Sequence, residues 1–224
     1  MRRFLRDNGL TLFFLLLTVL ALVGQAFAGH ARYNERQVAG GGGTVSLWHF
    51  VTSAEFAVDV TENWQSEYLQ FFLYIFMTVW LVQRGSPESK EIGKEGTESD
   101  EDQQVGRYAG PDAPRWARVG GVRGPLFSRS LGLTMGALFL ASWFAQSVAG
   151  RFAYNGDRLA ERQETVSWVG YVVSADFWNR SLQNWQSEFL AVASMVWLSI
   201  FLRQRGSPES KPVGAPRGAT GVEG

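Results

Sequence analysis

The sequence predicts an all-α fold, namely a polytopic membrane protein whose four transmembrane helices form two tandem, parallel helical-hairpin repeats. Three observations predict it. Leu10–Ala28 and Leu131–Ala149 each run for nineteen residues without a charge, which is about the length that a helix needs to cross a ~30 Å hydrocarbon core. Charged residues lie almost wholly between such apolar stretches, although the mean hydropathy is only −0.08. The two halves of the chain also resemble each other at a constant spacing.

The composition excludes several classes of site. The 224 residues include 21 Lys and Arg against 21 Asp and Glu, two His and no Cys. A balanced charge argues against nucleic-acid binding, which needs a basic excess. Without Cys there are no disulfides, thiolate nucleophiles or Cys-ligated metals, and two His do not make a His-rich site. We therefore expect no nucleic-acid partner, no metal site and no cofactor.

The repeat has an offset of 121 residues and needs no gap. Asn63–Glu67 recurs as Asn184–Glu188, and Gln83–Lys90 recurs as Gln204–Lys211. Comparing residues 5–90 with their equivalents gives 32 identities in 86 positions, which indicates a duplicated unit. We expect a first repeat over residues 1–90, with spans at about 10–28 and 63–83, followed by a linker over 91–125. We expect a second repeat over residues 126–211, with spans at about 131–149 and 184–203, followed by a tail over 212–224.

The first span also resembles a signal peptide. Arg2, Arg3 and Arg6 precede it, and Ala26–Ala28 is similar to a cleavage site. We favour a retained span because the equivalent segment ends at Ala149, in the middle of the chain.

The second helix of the first repeat is predicted over residues 53–83, about 45 Å in length. Thr52-x-x-Glu55, with Ser53 beside it, fits a capping box at its start. Gly85, followed by Ser-Pro, predicts its end. In the second repeat, Ser174 and Gly206 give the corresponding start and end signals.

Lys and Arg placement predicts the orientation. The two ends of the chain and the segment 83–130 carry 15 of them, whereas the two hairpin loops carry 6. We therefore expect cytoplasmic termini and a cytoplasmic linker, with both hairpin loops outside. The linker and the tail are charge-rich and poor in apolar residues, which predicts disorder. An alternative is that the basic half of the linker lies on anionic lipid.

Glu67 and Glu188 fall near the outer membrane boundary, where a carboxylate needs a partner. Gln25 lies fifteen residues from Leu10, and Glu67 fifteen residues from Val82, so antiparallel neighbours bring them to equal depth. We expect the face bearing Asn63 and Glu67 to point into the bundle. The candidate polar cluster comprises Gln25, Asn63, Glu67, Gln146, Asn184 and Glu188, with Trp64 and Trp185 as interface anchors.

Two interpretations of this cluster stay open. Interhelical hydrogen bonds hold helices together in a bilayer, which gives a structural role. Intramembrane acids also bind protons or cations, which gives a transport role.

The combination of Phe4–Leu10, Gln25, Tyr33-Asn34, Asn63–Glu67 and Gln83–Ser86 resembles a bacterial family of uncharacterised membrane proteins, known as domain of unknown function 6766. The resemblance covers nearly everything outside the linker and tail. It implies a multi-pass protein of the bacterial cytoplasmic membrane. It implies no activity, substrate or catalytic residue.

The function expected from these features is a structural or interaction role in the cytoplasmic membrane. The alternative is a small transporter or channel component that uses Glu67 and Glu188. We expect no enzyme activity, because no nucleophile, base and metal converge at one depth. The expected partners are the lipid bilayer and either a second copy of the chain or another membrane protein.

Overall fold

The computed structural model describes residues 2–222, and these contain helices and turns but no strand, so the predicted all-α class is confirmed. The helices are α1 (Arg2–Asp7), α2 (Gly9–Ala39), α3 (Leu47–Val51), α4 (Ala54–Met77), α5 (Arg123–Ser128), α6 (Ser130–Ala160), α7 (Trp168–Val172) and α8 (Ala175–Leu198). Met1, Glu223 and Gly224, which belong to the predicted first repeat and tail, lie outside the described residues.

Each helix of the second half begins and ends 121 residues after a helix of the first half, in the order α1–α4 and α5–α8. Local hydrogen bonds follow the same offset. Asn34 Oδ1 accepts from the Val45 amide at 2.8 Å, and Asn155 Oδ1 accepts from the Val166 amide at 2.8 Å. The two hairpin loops are therefore fastened to their preceding helices in the same way.

Two helices of the described chain, α2 and α6, are long and apolar enough to cross a membrane by length and composition. Each has 31 residues. The sequence predicts four such spans. Helix α4 falls short because Asp59, Glu62 and Glu67 interrupt its apolar residues.

Serine side chains cap the starts of α4 and α8. Ser174 Oγ accepts from the Phe177 amide at 3.3 Å, as predicted. The predicted capping box at Thr52 is wrong. The Thr52 hydroxyl donates to the Trp48 carbonyl at 2.9 Å, at the end of α3, and Ser53 caps α4 instead.

Both long second helices end earlier than predicted, α4 at Met77 and α8 at Leu198. The predicted last residues, Gln83 and Gln204, belong instead to the turns that follow. The Gln83 amide donates to Ser89 Oγ at 2.8 Å, and the Gln204 amide donates to Ser210 Oγ at 2.9 Å. The chain leaves the helix before these residues, so 24-residue α4 is about 36 Å long rather than 45 Å.

The chain divides into two compact units. One combines the residues up to Thr61 with Ala145–Val172, and the other combines Glu62–Phe144 with the residues from Val173 onward. In the first unit, the buried Phe50 ring lies 5.6 Å from the Tyr33 ring and 5.5 Å from the Phe56 ring, measured between centroids. Helix α2 passes close to the Phe50 ring at Gly29, where an added Cβ would lie 2.8 Å from a ring carbon.

The segment between α4 and α5 contains turns and two short 3-10 helices, Gly106–Tyr108 and Arg115–Ala117. Its first part folds back on the end of α4, where the Gly96 amide donates to the Val79 carbonyl at 2.8 Å. Lys90 Nζ donates to the Gly96 carbonyl at 2.6 Å and pairs with Glu98. The predicted disorder of the linker stays a prediction.

Candidate functional site

A buried hydrogen bond joins the two copies of the Asn-Trp-Gln-Ser-Glu motif within the second compact unit. Gln65 of α4 is fully buried, and its Oε1 accepts from the indole Nε1 of Trp185 on α8 at 2.8 Å. Its Nε2 donates to the Glu62 carbonyl one turn earlier, at 3.1 Å. Both ends of the amide are therefore paired, which is the condition for burying it at low cost.

Tryptophans surround this hydrogen bond. Trp143 of α6 donates to the buried Ser181 Oγ at 3.2 Å. Its ring lies 5.8 Å from Trp185, 6.0 Å from Trp178 and 5.9 Å from Phe177. Such centroid distances belong to rings in direct contact. We call Gln65, Trp143, Trp178, Ser181 and Trp185 the tryptophan junction, and it holds α4, α6 and α8 together.

An ion pair lies beside the junction. Arg180 Nη1 is 3.0 Å from Glu62 Oε2, and Arg180 Nε is 3.4 Å from Asp176 Oδ2. The Arg180 side chain is one-third exposed. The pair links α8 to α4, and solvent screening keeps its contribution below that of a buried pair.

The structure does not bear out the predicted inward face of α4. Asn63 and Glu67 are exposed, while Gln65, Ser66 and Leu69 are buried. Successive residues of a helix are rotated by about 100°, so Gln65 and Glu67 lie on nearly opposite faces. Because Gln65 faces α8, Glu67 cannot face α8 at the same level of α4.

The second copy of the predicted cluster is partly enclosed. Asn184 and Glu188 are half-buried, and Asn184 Nδ2 donates to the Arg180 carbonyl at 2.9 Å. The negative charge of Glu67 acts on the Glu188 carboxyl group, so the two glutamates interact as like charges.

The predicted glutamine partners lie in the other compact unit. Gln146 is fully buried, and neither of its amide atoms has a hydrogen-bond partner among the described residues. Gln25 is half-buried. The pairing of Gln25 with Glu67, and of Gln146 with Glu188, stays a prediction.

The two predicted anchors differ in their surroundings. Trp64 is 45% exposed, whereas the indole N–H of Trp185 is bound to Gln65. Trp185 therefore takes part in packing between helices, and the role of Trp64 as an interface anchor stays a prediction. Sequence reasoning missed the roles of Gln65 and Arg180, although the repeated Trp-Gln pair contained the signal.

A second polar arrangement joins the two copies of the Gln-Arg-Gly-Ser-Pro-Glu-Ser-Lys motif. We call Gln83–Lys90 the first turn and Gln204–Lys211 the second turn. The Glu88 and Glu209 side chains share a hydrogen bond, which raises the pKa of the Glu209 carboxyl above its ordinary value. The Tyr74 hydroxyl donates to Glu88. Lys211 is buried, and the loss of water around it lowers the pKa of its ammonium group.

Comparison with known proteins identifies a family but no activity. A family described as "Domain of unknown function (DUF6766)" matches residues 1–222. No curated protein and no solved structure matches the chain. Among residues 2–222, no group of three or more His, Asp or Glu side chains is arranged to hold a metal ion.

Proposed function

The chain belongs to the DUF6766 family of unknown function, and we propose that it is an integral membrane protein with a structural or interaction role rather than an enzyme. In this proposal the chain crosses the cytoplasmic membrane four times. Each half forms one hairpin, and the two hairpins are duplicates that lie parallel. Both termini and the linker face the cytoplasm.

The observation that carries the proposal is the exposed apolar surface of α2. No residue of this 31-residue helix is buried, and large apolar side chains such as Leu10 (75% exposed) and Phe27 (60%) lie on its surface. Soluble monomers rarely expose contiguous apolar patches larger than a few hundred Å². A hydrocarbon environment removes the cost of this exposure.

The two further crossings are supported by helix length and by the repeat. Helices α4 and α8 have 24 residues each, so at about 36 Å they exceed the hydrocarbon thickness of ~30 Å. The equal offset of all helix bounds supports the same path for both halves. Lys and Arg placement supports the orientation.

The non-enzymatic role is supported by how the junction uses its polar atoms. The amide of Gln65 and the indole N–H groups of Trp143 and Trp185 bind partners within the protein. These groups hold helices together instead of facing a substrate. Interhelical hydrogen bonds in membranes contribute about 0.6 kcal/mol on average.

Single cysteines test the topology cleanly, because the chain contains none of its own. We would introduce Gly42→Cys, Glu164→Cys, Ser99→Cys or Gly218→Cys and label each variant in intact cells with a membrane-impermeant maleimide. We expect labelling at residues 42 and 164 from outside, and at residues 99 and 218 only after permeabilisation. The reverse pattern would invert the orientation, and release of the protein by alkaline carbonate would rule out an integral protein.

A second candidate function, ion transport, is favoured by the partial burial of Glu188 and by the like charge of Glu67 that acts on it. Two carboxylates held together attract a proton or a cation between them. The double variant Glu67→Gln with Glu188→Gln keeps the side-chain shape and removes both charges. Proton- or cation-linked flux into reconstituted vesicles that disappears in this variant would support transport. Flux that persists would exclude these carboxylates as the ion site.

A further inference from the structure

The first and second turns have the same backbone conformation. Gly85 and Gly206 adopt φ values of +87° and +80°, a left-handed region that favours glycine. In both turns a serine hydroxyl accepts from the amide of the opening glutamine, and it donates to the carbonyl of the closing lysine at 3.1 Å. Each turn is therefore fixed by its own residues.

The first turn is covered by the tail of the chain. The Gly85 amide donates to Thr220 Oγ1 at 2.9 Å, and the Gly221 amide donates to the Ser86 carbonyl at 3.1 Å. The tail passes so close that a Cβ on Gly85 would lie 2.5 Å from the Arg217 carbonyl oxygen. Gly85 and Ser86 are buried by this contact. The sequence predicts a disordered tail, whereas its described residues make specific contacts with a turn.

Lys211 fastens the docked tail. Its Nζ donates to the Gly85 carbonyl, to the Arg217 carbonyl at 2.8 Å and to the Ala219 carbonyl at 3.2 Å. The ammonium group therefore bridges the first turn and the tail. The contact between the tail and the first turn consists of hydrogen bonds from backbone groups and one hydroxyl. It therefore depends on Thr220 and Gly221 in the tail and on Gly85 in the turn.

The second turn has the same shape without a cover. Gly206 is exposed, and a Cβ added there would meet no atom of residues 2–222 within 4 Å. A cavity of about 270 Å³ opens beside it, lined by Arg205, Gly206, Lys211, Pro212 and Val213. The position that the tail occupies on the first turn is thus open on the second.

We propose that the second turn is a docking site for the tail segment, and that its occupant is the tail of a second copy of this chain. The segment Arg217–Gly221 is the ligand that the equivalent turn holds. Each chain carries two turns but one tail, so its own tail leaves the second turn uncovered. Two copies that each move their tail from their own first turn to the partner's second turn form a closed, reciprocal pair. Confinement of both copies to one membrane raises their effective concentration. The proposal deepens the interaction role and rests on it.

A peptide-binding experiment on the full chain in detergent tests the docking site. The probe is a fluorescent peptide of residues 212–222, measured by anisotropy. We expect one site on the wild-type chain and at least tenfold weaker binding to Gly206→Ala, whose methyl group would meet the peptide as a Cβ on Gly85 would meet the tail. Thr220→Val in the chain weakens its own docked tail, so this variant should bind two peptides.

Gly85→Ala is the matched control, because the two glycines have nearly the same φ and so a similar backbone strain in the alanine variants. Combined with Thr220→Val in the chain, Gly85→Ala should leave one peptide site, at the second turn. Absence of peptide binding to the wild-type chain overturns the proposal. So does binding that Gly206→Ala leaves intact.

Cysteine pairing identifies the occupant. Copies with Ser207→Cys are mixed with copies with Val222→Cys in one vesicle and treated with a thiol oxidant. We expect a disulfide-linked dimer, and we expect Gly206→Ala to prevent it. A dimer that forms only with Ser86→Cys copies would mean tail exchange at the first turn and would overturn the assignment. If peptide binding and cysteine pairing both fail while maleimide labelling gives the expected topology, the docking proposal is wrong and the proposed membrane function still stands.

Discussion

Replacing Trp185 by Phe removes a hydrogen bond that joins Gln65 of α4 to α8. The Gln65 side chain is fully buried, and its Oε1 accepts from Trp185 Nε1 at 2.8 Å. Phe keeps an aromatic ring against Trp143 and Trp178 but has no donor. The carbonyl of Gln65 is then buried without a partner, which costs about 1–3 kcal/mol in soluble proteins. Measured interhelical hydrogen bonds in membranes reach ~1.7 kcal/mol at most, so we expect a loss of about 1–2 kcal/mol.

Trp64 supplies a matched control, because it has the same place in the first Asn-Trp-Gln-Ser-Glu motif as Trp185 has in the second. Trp64 is 45% exposed, so Trp64→Phe makes the same chemical change at an exposed position. We expect its effect on the free energy of unfolding to stay within ~0.5 kcal/mol. A second variant, Gln65→Leu, removes the acceptor, and in combination with Trp185→Phe it should recover part of the loss, since no polar atom stays unpaired.

Unfolding in mixed micelles, followed by helical circular dichroism, measures these free energies without depending on tryptophan fluorescence. Equal losses for Trp185→Phe and Trp64→Phe would refute the reasoning. So would strictly additive effects of Gln65→Leu and Trp185→Phe, because coupling between the two side chains is what the hydrogen bond requires.

Three further predictions use other contacts. Gly150→Ala should destabilise the chain by about 1–3 kcal/mol, because its Cβ would overlap sterically with the Tyr171 side chain. Gly156→Ala, in open space on the same helix, should be neutral or stabilising. Equal unfolding midpoints for the two variants would contradict this. Arg180→Ala should lower the free energy of unfolding by less than ~1 kcal/mol, since the ion pair with Glu62 is partly exposed. The difference from wild type should shrink as salt is added, and a loss that does not depend on salt would contradict the ion-pair account. The raised pKa of Glu209 stabilises the folded chain fully below the ordinary carboxyl pKa and loses this contribution as the pH rises through the raised value. Glu209→Gln should therefore flatten the pH dependence of thermal stability at and above the ordinary carboxyl pKa, and an unchanged slope would exclude this pair as its cause.

Local features of the sequence determined the helical class and the approximate starts of the four long helices α2, α4, α6 and α8. Ser174 caps α8 as its sequence predicts, because capping needs only a hydroxyl and an amide three residues away. Helix ends were missed for a reason of the same kind. The hydroxyls of Ser89 and Ser210 reach back six residues to the glutamine amides, a side-chain contact that an apolar pattern does not reveal.

The candidate cluster was harder to predict because equal depth in a membrane does not fix which face of a helix is buried. The sequence suggested Glu67 as the inward residue of α4, and its charge made it the conspicuous choice. The structure buries Gln65, two residues away and on nearly the opposite face. Which face is covered depends on where α6 and α8 pack, and no pattern within α4 contains that information.

The repeated motif separates what the sequence determines from what the tertiary structure decides. Asn63–Glu67 and Asn184–Glu188 are identical in sequence and both lie in helices, because helix formation is local. Yet Gln65 is buried, while its equivalent Gln186 is exposed. Whether each glutamine is buried depends on the side chains that pack around it. Gln65 meets Trp185 of the other repeat, beside Trp143 of α6, whereas α2 has Leu22 in the place of Trp143. The sequence by itself determined two similar sets of helices, and packing against non-identical neighbours gave the same five residues two different roles.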